Sequence, residues 1–153
     1  MAAYKVGDSD ERPWGRYEVT GVGKNDAGEE YCEKKIVVNP GQVLSLQSHE
    51  CRREFWKVED GVLTVVMDDQ RLQLKAGESV RIPLGAIHCM ANIGKTPCVV
   101  RELQEGICRE DDIKRYVDTY GRGTETLTSA KAEASVALYN QILSEIKQSA
   151  AAA

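Results

Sequence analysis

Between residues 14 and 104 apolar and polar side chains alternate in short runs, each stopped by residues that favour turns. A period of two sends one face of a strand to a core and the other to water. The runs predict strands over 16–22, 31–38, 43–48, 54–58, 62–67, 71–74, 79–82, 88–92 and 97–103. Between them lie Asn25-Asp26-Ala27-Gly28, Asn39-Pro40-Gly41, Asp60-Gly61, Asp68-Asp69, Ala76-Gly77, Pro83-Leu84-Gly85 and Asn92-Ile93-Gly94, whose Gly, Pro and Asn/Asp residues carry turn chemistry. Short strands at a spacing of roughly ten residues predict an antiparallel sandwich or barrel. Residues 1–13 read as a polar lead closing at Arg12-Pro13, where proline disfavours helix in the preceding residue.

After Gly106 the period changes. Ile113, Tyr116, Val117 and Tyr120 recur at helical spacing behind Glu110-Asp111-Asp112, an acidic opening suited to a helix N-terminus, and Gly121 ends the run. A second helix is predicted from about Thr128 to Gln148, with Leu138, Tyr139, Ile142, Leu143 and Ile146 in one apolar stripe. That stripe must pack on the barrel's outer face or on a partner subunit. Ser149 to Ala153 read as a frayed end. The expected organisation is a lead (1–13), an all-β barrel (14–106) and a C-terminal helical extension (107–153), together one domain.

The length of 153 residues suits one core that needs no disulfide staples. With 20 Lys+Arg against 24 Asp+Glu the net charge is -4, which gives no basic field to gather nucleic acid or anionic membrane. No run reaches the roughly 18 apolar residues of a membrane helix, and the opening Met-Ala-Ala-Tyr-Lys-Val-Gly-Asp lacks the apolar stretch of a secretory signal. A cytoplasmic protein with a small-molecule ligand is expected. Cys32, Cys51, Cys89, Cys98 and Cys108 are scattered without a C-x-x-C pair, which argues against a disulfide framework and a zinc knuckle. His49 and His88 are the only histidines, so any metal site within one chain must recruit other donors.

Two segments have a spacing that points to such a site. The first is Gly41-x5-Gln47-x-His49-x4-Glu54-x6-Gly61, the second Gly77-x5-Pro83-x-Gly85-x2-His88-x3-Asn92. They resemble the two cupin motifs, with Gln47 where most cupins carry histidine. The resemblance implies a small antiparallel β-barrel, or jelly roll, with one divalent metal in its mouth, held by Gln47, His49, Glu54 and His88. On a strand, residues two apart share a face, so Gln47 and His49 can converge while Glu54 opens the next strand. Cys51 lies two residues after His49 and is a competing donor. Two imidazoles, one carboxylate and one amide oxygen suit a Lewis-acid ion such as zinc, with nickel, cobalt and manganese as alternatives.

Around Gln47 the run Ile36-Val37-Val38-Asn39-Pro40-Gly41-Gln42-Val43-Leu44-Ser45-Leu46-Gln47-Ser48-His49 looks like type II phosphomannose isomerases. These form the carboxyl-terminal domain usually fused behind a mannose-1-phosphate guanylyltransferase. Arg12-Pro13-Trp14-Gly15 with Tyr17, Glu54 with Trp56, Ile82-Pro83, Glu102 with Gln104, and the stretch from Glu110 to Tyr120-Gly121-Arg122 match as well. The resemblance implies a metal-dependent isomerase that interconverts mannose 6-phosphate and fructose 6-phosphate by moving a proton between C1 and C2. It assigns the catalytic role to Arg122. Glu102 is the candidate general base, since it sits in a late strand that can line the cavity. Lys34, Lys35, Arg52 and Arg101 are candidates for the phosphate; Lys34 and Lys35 necessarily point opposite ways.

One departure from the family bears on activity. Glu50, Cys51 and Phe55 stand where histidines are expected, and if one of those is a proton shuttle, turnover is altered. The competing functional class is a non-catalytic metal-binding cupin that binds a sugar or other small molecule; an oxidative cupin enzyme is a third, against which Gln47 counts. A homodimer is expected, because flat barrel faces and an amphipathic terminal helix supply surfaces to bury.

Overall fold

A computed structural model describes residues 4–106, 112–117 and 129–152. The chain passes through β1 (Ser9–Arg12), β2 (Gly15–Lys24), β3 (Glu30–Val38), β4 (Gln42–Val43), β5 (Leu46–Ser48), β6 (Arg52–Asp60), β7 (Val62–Met67), β8 (Gln70–Lys75), β9 (Ser79–Ile82), β10 (His88–Asn92), β11 (Cys98–Gly106), β12 (Lys114–Val117) and α1 (Ala130–Ala152). The strands make two antiparallel sheets, one ordered β1-β2-β3-β11-β6-β9, the other β12-β5-β10-β7-β8 with β4 also on β10. Their inner faces share one apolar core: Ile36, Trp56, Val58 and Val100 from the first sheet meet Leu63, Val65 and Met90 from the second. Two packed antiparallel sheets are what the alternation predicts, and the jelly roll is what the cupin resemblance implies.

β6 shows how the sequence produces it. Arg52, Glu54, Trp56 and Val58 are buried, while Arg53, Phe55, Lys57 and Glu59 face outward, with Lys57 and Glu59 exposed. β10 is buried at every position, because its inner face joins the core and its outer face lies under α1. Gly61 turns the chain from β6 into β7 at φ 79°, and a Cβ there would stand 2.7 Å from the Pro97 carbonyl oxygen, so the last glycine of the first motif has no substitute.

α1 begins at a Ser129 cap, whose Oγ accepts the Ala132 N–H at 3.1 Å. Ala132, Ser135, Tyr139 and Ile142 are buried, with Leu138, Leu143 and Ile146 beside them, against Val43, Leu46, Val66, Ile87, Cys89 and Ala91 of the second sheet. Ser135 Oγ donates to the Asp68 carbonyl, and Arg71 closes the rim on Glu145 with an Nη2–Oε1 contact of 2.9 Å. The stripe thus packs on the chain's own barrel, the first of the two expected destinations. The helix also continues through 149–152, where the sequence suggested a frayed end.

Two stretches differ from expectation. Ser9–Arg12, inside the supposed polar lead, is a strand paired with β2. Lys114–Val117 is not helical: it pairs with β5, with a register shift between Arg115 and Val117 that leaves Tyr116 and Val117 both packed in the cluster beneath α1. In so short a run the spacing of apolar residues does not separate helix from bulged strand, and the open edge of β5 decides for the strand.

Candidate metal centre

His49 follows β5, Glu54 lies in β6 and His88 opens β10, so three separate stretches of chain deliver the donors. Their ligand atoms all lie within 4.8 Å of one another. His49 Nε2 stands 3.1 Å and His88 Nε2 3.8 Å from the Glu54 carboxylate. Gln47 is directly opposite His88 in the β5–β10 register and lines the cavity over the centre.

The histidines are oriented by the backbone. His49 Nδ1 is 2.6 Å from the Asp112 carbonyl oxygen and His88 Nδ1 is 2.9 Å from that of Ala86. A carbonyl only accepts, so each ring donates its Nδ1–H to the backbone and turns Nε2 to the centre. His88 Nε2 is buried and meets no hydrogen-bond partner among the described residues. Burial pushes the His88 pKa down to about 4, which keeps the ring neutral near pH 7. Neutral imidazoles and an ionised carboxylate are the protonation states a divalent metal requires. Burial would raise the Glu54 carboxyl, but His49, His88 and Arg52 facing it hold it well below the ordinary range. Trp56 Nε1–H fixes the other carboxylate oxygen at 2.8 Å. The residues present fit a divalent ion.

A cavity of about 300 Å³ opens over the centre, lined among others by Tyr17, Lys34, Gln47, Arg52, Glu102 and Arg115. Glu102 is buried across the register from Lys34, and burial, then the Glu54 charge, pushes its carboxyl up to about 7. Gln104 Nε2 donates to it at 2.6 Å. Lys34 Nζ lies 3.8 Å from the ring centroid of Tyr4 and 4.8 Å from that of Tyr17. Burial lowers its pKa, opposed by Glu102.

The sequence pattern of the family described as "Mannose-6-phosphate isomerase C-terminal" matches residues 2–118. The chain belongs to this family. It is 44% identical over 112 residues to mannose-1-phosphate guanylyltransferase of Escherichia coli (strain K12), covering 72% of this chain and 22% of that protein. It is 42% identical over 115 residues to the alginate biosynthesis protein AlgA of Pseudomonas aeruginosa, 74% of this chain and 23% of AlgA. The chain therefore matches about a quarter of the length of these relatives. Among solved structures, KdgF from Halomonas sp. superimposes with a TM-score of 0.58 at 16% identity, over 68% of this chain and 89% of KdgF. Oxalate decarboxylase of Bacillus subtilis does so at 0.55 and 18%, over 65% of this chain and 28% of that one. The fold is a cupin jelly roll.

The site residues read from the sequence separate cleanly. His49, Glu54 and His88 are brought together, Gln47 stands opposite His88 in the register, and Lys34, Arg52 and Glu102 line the cavity with Gln47 and Glu54. Lys35 and Arg101 are corrections. Both are exposed on the outer face of the first sheet, where Arg101 pairs with Glu33 at 2.8 Å, because each is one residue out of phase with an inward neighbour. Cys51 is exposed and is not among the donor atoms that converge at the centre. Arg122 and Cys108 lie outside the described residues. Glu50 is exposed and paired with Lys114, and Phe55 is on the outer face under Arg81, so none of the three expected histidine positions faces the cavity.

Sequence reasoning missed Asp112. Its carboxylate accepts the Glu50 and Cys51 N–H groups at 3.1 and 2.9 Å, and its carbonyl holds His49. Read as part of a helix opening, it is instead the clamp on the ligand loop. Arg12 and Arg115, also in the cavity wall, were not singled out as binding residues.

Proposed function

We propose that this domain is a metal-dependent aldose-ketose isomerase interconverting mannose 6-phosphate and fructose 6-phosphate. The observation that supports it most is the placement of an ionisable carboxyl, Glu102, in the cavity wall that also holds Glu54 of the His-Glu-His donor set and the buried cations Lys34 and Arg52. A divalent ion at Gln47, His49, Glu54 and His88, zinc in this reading with nickel, cobalt or manganese as substitutes, would act as a Lewis acid toward the sugar oxygens. The oxalate decarboxylase of Bacillus subtilis has Mn(II) centres, which supports metal use on this fold.

The chain's own residues have distinct tasks. Glu102, poised near neutrality, takes the proton from C2 of the aldose and returns it to C1, while the hydroxyl proton on O2 passes to O1, leaving the carbonyl at C2 of the ketose. Lys34, Arg52 and Arg115 supply cationic groups for the phosphate and for negative charge developing on the sugar oxygens. Arg122 is assigned to that charge by family resemblance. Purified protein carrying stoichiometric metal by elemental analysis, yet giving no fructose 6-phosphate from mannose 6-phosphate in a coupled assay, would sink this reading. Arg122→Ala should keep the metal and lose turnover.

The second reading is a metal-binding cupin that holds a sugar without turning it over, favoured by the residues at 50, 51 and 55. Their placement weakens it, since Glu50 and Cys51 are exposed on the loop between β5 and β6, Phe55 lies on the outer face of β6, and none of them lines the cavity where a proton would be shuttled. Thermal stabilisation by a sugar phosphate without turnover would restore it. The proposed setting is a cytoplasmic homodimer acting on a small sugar phosphate, with no nucleic-acid or membrane partner; the net charge of -4 supports the last point. No helix among the described residues is long and apolar enough to cross a membrane. Light scattering at micromolar concentration tests the dimer.

A further inference from the structure

Arg52 opens β6 two residues before Glu54, so the same alternation that turns the carboxylate inward buries the guanidinium beside it. Its side chain is 4% exposed. It forks across the centre, with Nη2 3.2 Å from His49 Nε2 and Nε 3.3 Å from Glu54 Oε1. These two acceptors are themselves 3.1 Å apart. A guanidinium has donors only, so its N–H groups take up a lone pair on each of them. Those are the lone pairs a metal held by His49 and Glu54 must take at about 2.0–2.2 Å. The guanidinium in this position and a divalent ion cannot share them. They would contend for the same space, and two cations at such range repel strongly in a buried site.

We propose that Arg52 is a built-in competitor of the metal: it satisfies His49 and Glu54 when they ligate nothing, and loading requires the guanidinium to swing off them. The cavity that Arg52 already lines offers its destination, where Glu102 supplies a carboxylate close enough to feel its charge. This inference rests on the metal centre of the proposed function. It gives Arg52 two effects of opposite sign. The residue keeps a buried carboxylate compensated, which preserves the centre without metal, and it weakens net metal binding.

The test compares metal-stripped wild-type protein with Arg52→Met, an apolar replacement of similar reach. Zinc affinity is measured by competition with a chromogenic chelator, and melting is followed with and without zinc. The expected result is zinc binding at least about tenfold tighter in Arg52→Met, since its entry no longer displaces a cation. Without zinc the variant should melt lower than wild type, and it should gain more from saturating zinc. A role confined to packing would lower stability without tightening zinc. Equal or weaker zinc binding by folded Arg52→Met overturns the proposal and leaves the metal centre standing; absence of zinc binding from both proteins overturns both. Should Arg52→Met not fold, the 15Nε resonance of Arg52 in wild type, assigned through Arg52→Lys, replaces it. A shift of that signal on zinc titration supports displacement, and an unchanged signal at saturation overturns it.

Discussion

The cavity end of the barrel and the seam beneath α1 both exclude water, but with different materials. The cavity buries Lys34, His49, Arg52, Glu54, His88 and Glu102; the seam buries Val43, Leu46, Val66, Cys89, Tyr139 and Ile142. Apolar burial stabilises in rough proportion to area and asks little of geometry. Burying charge costs several kcal/mol per ion unless each group finds a partner, on the order of the stability of a whole domain when summed. The seam is therefore where this fold gains stability, and the cavity is where it gives some up for chemistry.

Cutting the chain after residue 128 should break that division most severely. Each large apolar side chain uncovered on the second sheet forfeits about 1.5–3 kcal/mol, so the loss should be on the order of 5 kcal/mol or more, with aggregation of the product. A soluble, monomeric truncation melting within a few degrees of the full chain would show that the seam is not the stabilising region. On the cavity side, His49→Ala or His88→Ala should weaken metal binding by about 100-fold or more while circular dichroism stays that of the barrel. Full metal retention by either variant would overturn the ligand set.

A smaller effect separates the regions by pH. Glu102 goes from an ordinary 4.5 to about 7 on folding, so between those values the folded protein holds a proton that the unfolded chain has released. Its contribution makes stability fall as pH rises through that window, with no loss below it. Glu102→Gln should remove the slope, and at pH 8 should gain on the order of 2 kcal/mol relative to wild type compared with pH 4. Parallel pH–stability curves for the two proteins would refute the placement of Glu102. Least of all, Arg71→Ala should cost about 0.5 kcal/mol, because its pairing with Glu145 sits on the partly exposed rim of the seam, and metal content should not change. A loss above about 2 kcal/mol in a melting series would mean the rim is part of the seam's core.

Much of this was legible in the chain. Strands 62–67, 79–82 and 88–92 fall where the alternation placed them, and so does the helix that carries Tyr139 and Ile142. The donors His49, Glu54 and His88 could be read because each is tied by fixed spacing to a turn glycine or proline. What stayed illegible depended on partners remote in sequence. Lys114–Val117 has no decisive period of its own and becomes a strand because β5 offers an edge. Asp112 carries no sign that its carboxylate will clamp Glu50 and Cys51, some sixty positions earlier. The fork of Arg52 onto His49 and Glu54 follows the same rule, since it exists only once β6 is seated beside the loop after β5.

By itself the sequence determined periodicity, punctuation and donor spacing, and with them an antiparallel sandwich or barrel whose motifs resemble a metal-binding family. These are local quantities, set by backbone sterics and side-chain alternation within a few residues. Only the tertiary structure decided the absolute phase of each strand. Alternation dictates that Lys34 and Lys35 face opposite ways, but the pairing of β3 with β11 puts Lys34 inside against Glu102 and leaves Lys35 and Arg101 in water. Register is a collective property, settled by which of two phases buries the more apolar surface and leaves fewer charges unpaired, and no single strand carries that information.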